Sequence, residues 1–120
     1  MAAKVNNVEL YKSMSEFFRN VRYVNIVGGS SDNKEVSSHM TPILNAKNEF
    51  KRNVGKINTA SVHRYPGQHI GRELETFKEK VESAKNAVNM EDNPKLGEAI
   101  KNADNSLVKV IEDFNFIKNS

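Results

Sequence analysis

The chain of 120 residues contains no cysteine and no tryptophan, and only three prolines. The absence of cysteine excludes a disulfide framework, thiolate catalysis and any zinc site that needs thiolate ligands. No stretch approaches the roughly 18 apolar residues of a membrane span, and the first residues contain no apolar core of a secretory leader. We therefore expect a cytoplasmic protein without a membrane partner.

Acidic residues are scarce in the first part of the chain, and basic residues are the minority in the second part. Residues 1–72 contain eleven Lys and Arg against five Asp and Glu, a net charge of +6, whereas residues 73–120 carry −3. Every arginine lies in the first part. If the fold keeps the two parts separate, the protein has a positive face and a negative face that suit association with a charged partner.

Two apolar ladders dominate the carboxyl-terminal half. Apolar residues recur there at alternating steps of three and four, which places each set on one side of an α-helix. The first ladder consists of Ile70, Leu74, Phe77, Val81, Ala84 and Val88, and the second of Leu96, Ile100, Ala103, Leu107, Val110, Phe114 and Ile117. The few residues between them predict an antiparallel helical hairpin, with Asn93 and Pro94 at the start of its second helix.

The first half of the chain predicts two further helices. One begins at Asn6 or Asn7, and the other begins at Thr41, with Pro42 at its first helical position. Residues 28–38 are small and polar and predict a flexible linker. Residues 22–27 favour either the end of the first helix or a strand that pairs with residues 60–65 in a short two-stranded ribbon.

Together these elements predict an all-α fold in which residues 1–120 form a single helical domain. The arrangement is either a small four-helix bundle or a three-helix core with an attached amino-terminal helix. Burial of the large apolar side chains, at roughly 1.5–3 kcal/mol each, supplies the core.

A basic and polar region in the middle of the chain is the strongest candidate site. Histidines exchange protons near neutral pH, arginines bind phosphate through two parallel hydrogen bonds, and a tyrosine ring stacks on a base. The residues that we single out, as a site for nucleic acid or an acidic partner, are Lys47, Lys51, Arg52, Lys56, His63, Arg64, Tyr65, His69 and Arg72. The alternative is a polar interhelical loop beside a solvated helix face.

Neither a metal nor another cofactor is predicted. The three histidines, at positions 39, 63 and 69, do not have the spacing of metal ligands on one helix. Two phenylalanines exceed what one apolar stripe needs: Phe18 follows Phe17, and Phe116 stands close to Phe114. We expect Phe18 and Phe116 to form an exposed apolar patch for self-association.

These features lead to a first hypothesis and two alternatives. The first is a non-enzymatic helical interaction or assembly protein, an adaptor, inhibitor or structural protein of bacterial or phage origin. It binds a protein partner or its own copies as a homo-oligomer. The second is a nucleic-acid-binding protein that uses residues 47–72. The third is a metal-independent ribonuclease or phosphodiesterase that uses His63 and His69. No motif of a known family covers a useful length of the chain.

Overall fold

The computed structural model describes residues 7–29, 34–59, 67–88 and 91–119, and the side chains at 9–28, 35–52, 70–88 and 91–116. These residues form four α-helices and no strand. The helices are α1 (Asn7–Gly29), α2 (Lys34–Thr59), α3 (Gly67–Ala87) and α4 (Pro94–Asn119). The all-α prediction is therefore confirmed. No helix in the described ranges has the length and apolar character that crossing a membrane requires.

The first and last helices run antiparallel and share the largest interface between any two helices. Near the start of α1, the Ser13 hydroxyl donates a hydrogen bond to Asp113, close to the end of α4. Further along, the Asn20 amide donates to the backbone carbonyl of Asn102 at 3.5 Å. Residue numbers rise along α1 as they fall along α4, so the two helices point in opposite directions.

The remaining helices complete an up-down-up-down bundle. Phe18 of α1 packs on Phe50 of α2, and Gly28 at the end of α1 lies against Val36 at the start of α2. Helices α3 and α4 are antiparallel, because Gly71 near the start of α3 lies against Phe114 near the end of α4, whereas Lys85 near the end of α3 pairs with Asp104 in the first half of α4. Each helix packs on two neighbours, so that α1 and α3 occupy opposite corners, as do α2 and α4. We call the end where α1 and α3 begin the top of the bundle.

The core contains a cluster of four phenylalanine rings from three helices. Phe77 of α3 lies 5.4 Å from Phe50, 5.9 Å from Phe17 and 6.2 Å from Phe18, measured between ring centroids. Both apolar ladders point into this core, and each of their large side chains with a described position is buried or half-buried. The predicted helical hairpin is thus confirmed.

The prediction that Phe18 belongs to an exposed apolar patch is wrong. This side chain is only 5% exposed. The prediction assumed that α1 buries a single stripe. A helix at the corner of a bundle faces two neighbours, and its buried arc is wider than one stripe. Both Phe17 and Phe18 therefore fit inside. Phe116 is 43% exposed, and its part in self-association stays a prediction.

Helix α2 begins at Lys34, seven residues before the predicted start, and Pro42 lies inside it. Proline in a helix interior costs about 3 kcal/mol, because it lacks the backbone N–H and crowds the preceding turn. The additional turns bury Val36 and Met40 completely. Two such side chains contribute roughly 3–6 kcal/mol at about 1.5–3 kcal/mol each, which offsets the proline.

The structure also corrects the ribbon and the linker. Residues 22–27 are helical in α1, where the fully buried Val24 continues the core face one turn after Val21. Packing therefore overrides the strand preference of these residues. Of the predicted linker 28–38, Gly28 and Gly29 belong to α1 and residues 34–38 belong to α2. Residues 60–65 lie outside the described residues.

Candidate interaction surfaces

The basic residues of α2 lie partly against the bundle rather than opposite its core. Lys47 stands four residues after Ile43 and three before Phe50, in step with the core side chains, and it is half-buried. The Lys51 ammonium lies 5.6 Å from the centroid of the Tyr11 ring on α1. Long lysine stems cover apolar surface while the charged end reaches water, which explains both positions.

Arg52 and Arg72 are exposed at the top of the bundle. Antiparallel packing of α2 and α3 brings their positions to the same end. The same edge of α2 and α3 also carries two glutamates, Glu49 and Glu73. Burial raises the pKa of Glu73, and repulsion from Glu49 raises it further. Glu73 Oε2 is buried and has no hydrogen-bond partner among the described residues. The α2–α3 edge is thus of mixed sign rather than uniformly positive.

Several residues of the predicted site lie outside the described part of the chain. They are His63, Arg64 and Tyr65, together with the side chains of Lys56 and His69. The structure therefore does not test whether the two histidines meet, and the ribonuclease hypothesis stays a prediction. Within the described residues, no group of three potential ligand side chains is placed to hold a metal ion.

A buried carboxylate between α1 and α4 was missed from the sequence. Asp113 is 2% exposed and accepts two hydrogen bonds, one from the Ser13 hydroxyl and one from Lys109 Nζ at 2.8 Å. Asp113 stands three residues after the buried Val110, next to the second apolar ladder. A carboxylate at such a position needs a hydrogen-bonding partner, and this could have indicated the cluster from the sequence. Ser13 is one hundred residues away along the chain.

The chemistry of this cluster is structural. The hydrogen bond to Asp113 and the negative charge of that carboxylate raise the pKa of Lys109. Lys109 is therefore held in its protonated form as the ion-pair partner of Asp113. The cluster fixes how α1 and α4 align, since any shift along the axis would take the Ser13 hydroxyl away from the buried Asp113 carboxylate and leave it with only Lys109 of its own helix.

The outer face of α1 carries an exposed apolar and basic patch. Tyr23 is 52% exposed and Ile26 is 61% exposed. Arg19 and Arg22 are exposed at spacings of three and four residues from them, within about one-third of the helix circumference. We call these four residues the α1 patch. Sequence reasoning missed it because the residues between 22 and 27 were not assigned to a helix face.

A groove of about 160 Å³ lies between α3 and α4. Its apolar part consists of the buried Leu107, the half-buried Ile111 and Val108, which is 47% exposed. The charged rim consists of Lys78, Asp104 and Glu112. Asp104 is already paired with Lys85 at 3.3 Å, and this contact raises the pKa of Lys85. We call this feature the α3–α4 groove.

Comparison with models of known protein families, with curated proteins and with solved structures finds no match to this chain.

Proposed function

We propose that the protein is a non-enzymatic interaction protein that binds another protein chain through the α1 patch. A cytoplasmic location is part of the proposal and is compatible with the absence of cysteine. The observation that carries the proposal is the exposure of Tyr23 and Ile26 beside Arg19 and Arg22 on one helix face.

The composition of the patch supports this function on energetic grounds. Tyrosine and arginine are enriched among the residues that dominate binding energy at protein interfaces. A single exposed apolar residue is ordinary, but a contiguous group beside two cations is typical of a contact surface. The patch also lies on a helix that is already formed and packed on α2 and α4. A partner then binds without an entropic cost for ordering the helix.

A photocrosslinking experiment tests the proposal. A photoreactive phenylalanine analogue replaces Tyr23, and a matched variant carries it at Asn86, an exposed position on α3. Each variant is irradiated both as purified protein and in a lysate of its producing cells. We expect a discrete protein adduct from position 23, either with a second copy or with another protein, and none above background from position 86. Equal labelling at the two positions would refute the proposal.

Nucleic-acid binding is the second candidate. It is favoured by the placement of Arg52 and Arg72 at the same end of the bundle, where Lys51 also lies. A shift assay at about 50 mM salt with single-stranded RNA and duplex DNA tests it, because phosphate contacts are strongest at low salt. The R52E and R72E variants should each weaken binding, and K101E, at the other end of the bundle, should not. No shift at this salt concentration would remove the candidate.

A further inference from the structure

We infer that the partner of the α1 patch is a second copy of this chain, whose α3–α4 groove receives Ile26 and Tyr23. This inference rests on the proposed function and names the partner of the same patch. It predicts a head-to-tail assembly, in which each molecule uses its patch on one neighbour and its groove on another.

The bundle separates the two surfaces. Helices α1 and α3 stand at opposite corners. The α4 residues that line the groove lie on the side turned to α3, away from the side that contacts Ser13 and Asn20 of α1. A molecule therefore cannot place its own patch in its own groove. A contact between two different surfaces is heterologous, and it extends into a chain of molecules unless the geometry closes a ring.

The apolar parts of the two surfaces are complementary in size. Ile26 is the most exposed of the large apolar side chains in the described residues, and it stands on the outer face of α1. The groove offers about 160 Å³ over an apolar floor. An apolar cavity of roughly 150 Å³ is large enough for a benzene-sized group, so one isoleucine side chain fits, with Tyr23 covering Val108 at its edge. Both surfaces lose exposed apolar area in the contact.

The charged parts are complementary as well. Arg22 forms no ion pair with any side chain in the described ranges. Arg19 already forms a salt bridge with Glu16, with 3.2 Å between Nη1 and Oε2. On the groove, Glu112 is exposed and has no cation within salt-bridge distance in the same ranges, whereas Asp104 is held by Lys85. The rim also carries the Lys78 cation on its α3 side, so Arg22 is directed to the α4 side of the groove, where Glu112 is the available carboxylate. Such a pair would orient the contact and favour a second copy over an unrelated apolar surface.

The test uses two variants that each remove one side of the contact. I26E removes the apolar side chain of the α1 patch and leaves the α3–α4 groove intact. V108K blocks the groove and leaves the α1 patch intact. N86E and N86K add the same charges at an exposed α3 position and serve as controls. Sedimentation velocity follows all five proteins up to about 1 mM, because contacts that bury less than about 1,200 Å² are weak. Circular dichroism verifies that each variant is folded.

We expect the average mass of the sedimenting species to rise continuously with protein concentration for the wild type and for both controls. I26E and V108K should each remain at the 13.5 kDa of one chain. Mixed in equal amounts, they should form a heterodimer and nothing larger, because one intact patch meets one intact groove. A wild-type protein that is monomeric throughout, or a mixture that stays monomeric, overturns the inference. If position 23 crosslinks to a different protein meanwhile, the proposed function stands and only self-recognition is lost.

Discussion

Replacement of Phe18 by alanine is the most direct test of the core. The ring is 5% exposed, and its centroid lies 5.5 Å from that of Phe17, 5.8 Å from Phe50 and 6.2 Å from Phe77. A buried phenylalanine lost to alanine lowers the free energy of unfolding by about 3–5 kcal/mol, which includes the cavity that remains. Small domains are stable by roughly 5–15 kcal/mol, so F18A removes a large share of the total.

A conservative variant separates volume from ring contacts. F18L retains most of the apolar volume and loses the aromatic pairs, each of which is worth about 0.5–1.5 kcal/mol beyond its buried area. Packing of leucine into part of the space recovers some of this loss, and we expect a cost of about 1–2 kcal/mol. The matched control is F116A, which truncates a phenylalanine that is 43% exposed and should cost less than about 1 kcal/mol.

The measurement is urea unfolding followed by helical circular dichroism, with the m-value compared among the four proteins. An unchanged m-value assigns the difference to stability rather than to altered compactness. For F18A we also expect the melting temperature to fall by roughly 10–20 °C. If F18A and F116A cost the same, or if F18A costs less than about 1 kcal/mol, Phe18 is not in the core and the arrangement of the α1 neighbours is wrong.

Three further predictions concern single side chains. D113A leaves Ser13 without its carboxylate partner and should lower the free energy of unfolding by about 2–3 kcal/mol in the same assay, against less than about 1 kcal/mol for D104A; equal costs would contradict the structural part given to Asp113. E73Q should stabilise the protein near neutral pH, because the ionised Glu73 carboxylate loses hydration on burial and is repelled by Glu49. The folded state with a raised carboxyl pKa holds its proton more tightly than the unfolded chain, so the wild type loses stability as pH rises through that pKa. The advantage of E73Q should therefore vanish in acid, and a constant difference from pH 4 to pH 7 would rule out this cause. P42A restores a helical N–H in the exposed middle of α2 and should raise the urea midpoint, by an amount equivalent to about 1–3 kcal/mol; a lower midpoint would contradict a continuous α2.

The sequence was sufficient for features with a local cause. The ladder from Leu96 to Phe114 repeats within one helix, and neighbouring residues alone reveal its period. The start of α2 was wrong because Thr41 and Pro42 form a strong local start signal, whereas the reason for the earlier start is tertiary. Burial of Val36 and Met40 against other helices does not show in their neighbours.

The candidate interaction surfaces were harder to predict because they too depend on contacts between residues that are distant in the sequence. Asp113 depends on Ser13, and a pairing across one hundred residues leaves no periodic trace. The α1 patch could be located only once residues 22–27 were known to be helical, because strand geometry would have sent Tyr23 and Ile26 to opposite faces. To predict that Phe18 is buried, one must know how many helices pack on α1, and only the assembled bundle shows this.

The large interface between the first and last helices also bears on how the protein is made. A ribosome releases α1 well before α4, so the face of α1 that carries Ser13 and Asn20 has no packing partner until α4 has also emerged. Closing that distant contact is slower than forming neighbouring ones. The four-helix bundle should accordingly close only after α4 has left the ribosome. A circular permutant that joins α4 directly to α1 and opens the chain at 60–66 would turn the slowest encounter into a local one.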